Sequence, residues 1–352
     1  MEDLWTFLAR CGQPICCYGT GNGADKIIDV LENRGIALDA VFASDGFVRN
    51  RTFRGYPVRS YSDVRAEYGD DMVVMLAFGT TLPDVTAFVE ELDRRHALRI
   101  PDVPLYGGAL FDEAYYEAHR GILEEAESLF ADERSRQLFR DAISFRLTGE
   151  YRYLADVQPP IESYRELFGH RDCHTVIDGG AFRGDSTRDL IEALHPGTVL
   201  AVEADPKTYL KLEVYAAAET DAVIRPIHGA LWDSDGEVSY ASSGSRGAAH
   251  DGHNRRSNAQ TVPTVAVDSI ADDAAIDFIK LDVEGAEERA LLGAKGVILR
   301  DRPHLAVSLY HRTDDLFSLP LLLREWLPDH RFYLRRAPCI PMWDLSLFAV
   351  RP

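Results

Sequence analysis

The stretch Val176-Ile177-Asp178-Gly179-Gly180-Ala181-Phe182-Arg183-Gly184-Asp185-Ser186-Thr187 constrains the fold of this chain most. An apolar run ends in an acid, a glycine-rich turn follows, and a helix start comes next. Glycine alone takes positive φ cheaply and lets a backbone approach a ligand closely. Strand, glycine turn and helix in that order open a βαβ unit, which needs a parallel sheet with both faces covered. A second apolar run ends at Glu203, 25 residues after Asp178. That spacing suits a carboxylate accepting both hydroxyls of a ribose in the crevice outside the strand ends.

The same alternation recurs along the chain. In a first block, 14–18, 40–43 and 72–78 read as buried strands, with a helix after Gly19-Thr20-Gly21-Asn22-Gly23 that stops at Gly35. From about 111 to 154 no strand pattern occurs. Asp132 is an N-cap there, 133–147 a helix with Leu138, Phe139, Ala142, Ile143 and Phe145 on its buried face, and Gly149 its stop. Pro159-Pro160 marks a break. The second block holds strands at 175–178, 199–203, 222–225, 278–282, 305–309, 332–335 and 347–350, enough for one doubly wound sheet. The expected architecture is α/β: a smaller Rossmann-like domain over 1–110, a helical connector over 111–172, and a seven-stranded Rossmann-like domain over 173–352.

Composition narrows the partners. Thirty-eight basic against 57 acidic residues give a net charge of −19, which argues against nucleic acid and anionic lipid. Five scattered cysteines without a CxxC pair point to free thiols in a reducing compartment. The N-terminus has no basic region followed by an apolar stretch, and no window reaches the ~18 apolar residues of a membrane span. A cytoplasmic protein is expected, with a small-molecule or glycan acceptor; self-association stays open.

The chemistry turns on charge at strand ends. A dinucleotide fingerprint wants G-x-G-x-x-G facing a pyrophosphate, whereas Asp178 puts an acid at the turn. That sign favours the cationic sulfonium amino acid of S-adenosylmethionine. A second acidic strand end lies in Ile276-Asp277-Phe278-Ile279-Lys280-Leu281-Asp282-Val283-Glu284-Gly285-Ala286-Glu287, where Lys280 and Asp282 share a strand face. Glu287 reads either as part of this motif or as an acid on a solvated helical face. Ala306-Val307-Ser308-Leu309-Tyr310-His311 brings His311 to the same edge. His311 and Asp282 are the candidate bases for an acceptor hydroxyl. Asp282 and Glu284 offer the hard oxygens Mg²⁺ prefers, but two neighbouring acids are weak evidence and no metal ligand is assigned.

Taken together, the Asp178 turn, Glu203, the Phe278 to Glu287 motif and Tyr310-His311 resemble the FkbM-type S-adenosylmethionine-dependent methyltransferases, over about 173 to the C-terminus. The resemblance implies methyl transfer to oxygen, often on a carbohydrate or polyketide hydroxyl, with S-adenosylhomocysteine as product. By position, it implies a cofactor site formed by Asp178, Gly179, Gly180, Ala181, Gly184, Asp185, Glu203, Ala204 and Asp282, with Ala230 and Asp233 near the adenine. Phe182 stands where many relatives carry Asn, so it receives no binding role.

Two features remain. The Gly19–Gly23 turn, with Asp45 after the next strand and Phe53-Arg54-Gly55-Tyr56-Pro57-Val58 beyond, resembles small Rossmann-like domains of surface-polysaccharide enzymes that take a nucleotide or nucleotide-sugar. An empty scaffold reads equally well. The loop over 242–260 carries Arg246, Arg255 and Arg256, with Arg255 and Arg256 assigned to a phosphorylated acceptor beside Glu284. His250 and His253 lack a third ligand for zinc. Competing functions are a dinucleotide-dependent oxidoreductase using the first glycine turn and a nonenzymatic binding protein.

Overall fold

The computed structural model describes residues 2–48, 51–104, 106–169, 171–241 and 259–352. The first sheet has strands β1 (Ile15–Tyr18), β2 (Ala40–Ala43), β3 (Thr52–Phe53), β4 (Tyr56–Ser60), β5 (Val73–Leu76) and β6 (Ala97–Arg99). Their order is β3-β4-β2-β1-β5-β6, parallel except for β3 against β4. The four residues of β1 and of β5 are all buried, as apolar runs covered on both faces must be. The expected strands appear here; β3, β4 and β6 are additions: β3 and β6 are short edge strands, and β4, between β3 and β2, carries polar residues that blur the apolar signal.

Helices Glu113–Ser128, Glu133–Thr148 and Pro160–Phe168 connect the sheets. Asp132 caps the second through Ser135 N, and Gly149 ends it at φ 64°.

The second block supplies β7 (Thr175–Gly179), β8 (Thr198–Glu203), β9 (Val223–His228), β10 (Ala230–Leu231), β11 (Gly236–Ala241), β12 (Ala259–Val265), β13 (Phe278–Leu281), β14 (His304–Ser308), β15 (Arg331–Arg336) and β16 (Leu345–Val350). Seven form one sheet in the order β15-β16-β14-β13-β7-β8-β9, with β16 antiparallel to its neighbours. Strand order reverses between β7 and β13, so the crevice opens at their carboxyl ends. The expected strand at 222–225 runs on to His228. β10, β12 and β11 form a separate small sheet, so Ala259 and Gln260, expected in a loop, belong to a strand.

One hydrophobic core runs through both sheets and the connector, from Cys16 and Phe42 through Phe139 and Phe145 to Leu305 and Phe332. Backbone bonds join the units directly: Thr80 N to Ile340 O at 2.7 Å and Ile340 N to Thr80 O at 3.0 Å. The five cysteines are free. No helix among the described residues is long and apolar enough to cross a membrane.

Candidate active site

The carboxyl ends of β7, β8 and β13 open on a cavity of about 800 Å³. Gly180 carries the chain round its floor at φ 74°, and a Cβ there would lie 1.9 Å from the Asp282 carbonyl oxygen. Only glycine permits that approach.

Asp178 does not reach this cavity. Its side chain is fully buried, accepts hydrogen bonds from Ser186 Oγ at 2.8 Å and Thr187 Oγ1 at 2.6 Å, and pairs with Lys280 Nζ at 3.2 Å. Lys280 also donates to the Gly179 and Gly180 carbonyls, at 3.1 and 3.0 Å. Burial works against the Lys280 charge, but Asp178 and Asp282 outweigh it and raise its pKa. The charge attributed to Asp178 is therefore spent inside the protein, where an unpaired ion would be very costly. Asp178 and Lys280 together tie the glycine turn to β13.

Glu203 does line the cavity. Its two oxygens accept Phe182 N at 2.9 Å and Asp205 N at 2.7 Å. Burial pushes its pKa up to about 7. Phe182, at φ 52°, contributes its N–H to this bond and its side chain to the cavity wall. Gly180, Asp185, Ala204 and Ala230 also line the cavity, whereas Gly179, Ala181, Gly184 and Asp233 stand behind it. Asp233 pairs with Arg289. Arg246, His250, His253, Arg255 and Arg256 lie outside the described residues.

At the end of β13, Asp282 accepts the Ser308 and Tyr310 hydroxyls on Oδ1, both at 3.0 Å, and leaves about a third of its side chain exposed. Burial pushes its pKa up, but Lys280 and His311 more than reverse that and hold it below the ordinary carboxylate value. His311 presents Nδ1 to Glu287 Oε1 at 2.8 Å, while Nε2 sits 3.4 Å from Glu284 Oε2 and 3.6 Å from Asp282 Oδ1. Burial disfavours its charge; Glu287 and Glu284 overcome this and raise its pKa well above 6.5. The three carboxylates round it therefore favour the protonated form of His311, which weakens it as an acceptor of the hydroxyl proton. Glu287 is buried and also accepts Val283 N at 2.9 Å, so it is an internal counterion and not a surface acid. Asp282, Glu287 and His311 each offer one ligand atom within 4.8 Å of the others, and a single cation, such as the His311 proton, offsets part of that negative charge.

Motif reading brings Ser308 and Tyr310 to this edge without assigning either a role, and it does not single out Tyr106 at all. Tyr106 comes from the connection between the units and donates its hydroxyl to Glu284. The first glycine turn also arrives here, because Gly21, Asn22 and Gly23 line the same cavity. Asp45, which a dinucleotide reading would place on a ribose, instead accepts Ser62 N at 3.0 Å and the Ser62 hydroxyl.

A doubly wound sheet with a glycine turn at its switch point and acids at the neighbouring strand ends defines an α/β enzyme domain of the nucleotide-cofactor type. Residues 178–334 match the family model described as the methyltransferase FkbM domain. Among solved structures, methyltransferase FkbM from Methylobacillus flagellatus KT aligns over 98% of this chain and 92% of its own, at 21% identity and a TM-score of 0.69. That is a likeness of fold extending through the first unit. Precorrin-6y C5,15-methyltransferase from Geobacter metallireducens GS-15 aligns over 57% of this chain and 89% of its own (10% identity, TM-score 0.35). Aeropyrum pernix fibrillarin, solved with bound S-adenosyl-L-methionine, aligns over 54% and 74% (12% identity, TM-score 0.33). No curated protein matches the chain.

Proposed function

We propose that this protein is an S-adenosylmethionine-dependent O-methyltransferase acting on a hydroxyl of a carbohydrate, nucleotide sugar or related small molecule. One observation carries the reading: a single cavity joins the Gly180 turn, the Glu203 carboxylate and the Asp282–Tyr310–His311 cluster. The donor set suits the cofactor. Glu203 spends one backbone N–H on each oxygen, and each oxygen keeps a further acceptor position for a ribose hydroxyl. Asp282 and Glu284 give the reactive end of the cavity the negative charge that a sulfonium and its ammonium group require.

When bound, the cofactor supplies a methyl group already activated by its sulfonium charge, so the protein's task is mainly to orient the acceptor. Asp282 and Glu284 line the place where an acceptor hydroxyl would be received. Methylation of a neutral hydroxyl makes its proton strongly acidic, so even the low-pKa Asp282 carboxylate suffices to take it. His311, as an imidazolium clamped by Glu287, holds the two acids in place. Asp282 is then the base and His311 its orienting partner.

Calorimetric titration with S-adenosylhomocysteine tests the reading. Wild-type protein should bind it, and Glu203→Ala should weaken binding by about ten- to a hundredfold, the worth of hydrogen bonds to a charged group. Absence of wild-type binding, or unchanged binding by the variant, would remove the proposal. Mass-spectrometric detection of a +CH₂ product from nucleotide sugars and glycans identifies the acceptor.

A further inference from the structure

We infer that the amino-acid end of the methyl donor lies in a lobe of the cavity between two helices, with its ammonium on Asp189 and its carboxylate on the Tyr164 hydroxyl. This rests on the methyltransferase reading above and moves the ammonium away from Asp178.

The lobe is built from the sheet upward. Lys280, Ala306 and Phe348 stand side by side in register on β13, β14 and β16, and all three line the cavity. The helices Pro160–Phe168 and Asp185–Leu194 pack on each other and share an apolar cluster with Phe278, Ala306 and Phe348. Their N-terminal halves face the cavity, one through Ser163 and Tyr164, the other through Asp185, Ser186 and Asp189.

Most polar groups of the lobe are already engaged. Lys280 Nζ has Asp178 at 3.2 Å, the Gly179 and Gly180 carbonyls at 3.1 and 3.0 Å, and Ser186 Oγ at 3.3 Å. An ammonium has three donors, so Lys280 is saturated, and it occupies the acid and carbonyls of the glycine turn. Ser163 Oγ donates to Pro159 O at 3.5 Å, and the exposed Asp185 faces Arg188 at 3.7 Å. Asp282 and Glu284 add negative potential, but each already accepts a hydroxyl.

Two groups stand apart. Tyr164 is 6% exposed, and its ring is pinned edge-on against Phe278 and Phe348, with centroids at 5.9 and 6.0 Å. Its hydroxyl has no partner among the described residues and is not sealed in by protein, so it opens on the cavity that its ring lines. Asp189, half-buried, likewise has no hydrogen bond or ion pair among the described residues. Burial raises the pKa of both, and each feels the Asp178 charge, while Asp189 acts in turn on Tyr164. Tyr164 therefore stays a neutral donor, and Asp189 is a carboxylate short of a cation. A donor and an anion left open in one lobe complement a zwitterion, the form of an α-amino acid at neutral pH.

Paired calorimetric titrations with S-adenosylhomocysteine and 5′-deoxy-5′-methylthioadenosine read this without an acceptor. The second ligand keeps the nucleoside and the thioether but has no amino-acid end. Wild-type protein should prefer S-adenosylhomocysteine by at least about tenfold, the worth of one hydrogen bond to a charged group. Asp189→Asn and Tyr164→Phe, which keeps both ring contacts, should each weaken S-adenosylhomocysteine about tenfold and change the truncated ligand less than about twofold. Glu203→Ala should weaken both ligands. If wild type binds the two ligands equally, or if Asp189→Asn and Tyr164→Phe leave S-adenosylhomocysteine unchanged, the lobe does not hold the amino-acid end. If those variants weaken both ligands alike, they act through the fold and the assignment is overturned. If wild type binds neither ligand, the methyltransferase reading fails first, and this inference with it.

Discussion

Glu203 and Asp178 are both acids at the ends of neighbouring parallel strands, and their surroundings give them opposite tasks. Asp178 is neutralised by Lys280 and two hydroxyls, whereas Glu203 meets only backbone N–H groups and is pushed up to about 7 by burial. A raised carboxyl pKa stabilises the fold below its unfolded value of 4.5, and that contribution is lost as pH rises through 7. The ligand sees the reverse, since the ionised form is the stronger acceptor for ribose hydroxyls. S-adenosylhomocysteine should therefore bind more tightly as pH rises from 6 to 8, while Glu203→Gln binds weakly with a flat profile. Calorimetry across that range checks this, and a flat wild-type profile would contradict the pKa assignment. Asp282, Glu284 and Glu203 are legible in the sequence as acids at strand ends. The difference between Asp178 and Glu203 is not, because it depends on a lysine about a hundred residues away in sequence. The preference of His311 for its protonated form is equally hidden, since it requires Glu287 buried against it.

At the scale of elements, the strongly patterned segments are those the sequence marks well. Buried parallel strands are apolar throughout, and a helix with an Asp cap and a Gly stop announces both its ends. The helix Glu133–Thr148 ends where Gly149 turns left-handed against the connection that carries Tyr106. A Cβ on Gly149 would stand 2.9 Å from Ile100 O, and φ 64° is unfavourable for alanine. Gly149→Ala should cost about 1–2 kcal/mol for the conformation alone, more with the clash, measured by chemical denaturation. A neutral result would mean the helix end can relax away from Ile100. Strands β3, β4, β6 and β10 to β12 escape pattern reading for two reasons: β3, β6 and β10 are only two or three residues long, and β4, β11 and β12 are broken by Pro, Gly or polar residues, so no clean period marks them.

Across the whole molecule, the two sheets are not independent bodies. One cluster takes core residues from one face of each sheet and from the connecting helices, and Thr80 pairs with Ile340 across the junction. The first glycine turn and the second end on the same cavity. The full chain should consequently unfold in one cooperative thermal transition, shifted upward as a unit by S-adenosylhomocysteine. Two resolved transitions, only one of them moved by the ligand, would show that the shared core does not couple the units.

The sequence by itself determined the two glycine-turn sheets, the helical connection, and the acids that arrive at the strand ends, because these depend on local periodicity and on turn chemistry. Tertiary structure alone decided which acids stay charged toward the cavity, that His311 favours its protonated form, and that Tyr106 joins Glu284. Each of those outcomes rests on burial and on partners distant in the chain, and the free energy of a charge depends on its surroundings far more than on its neighbours in sequence.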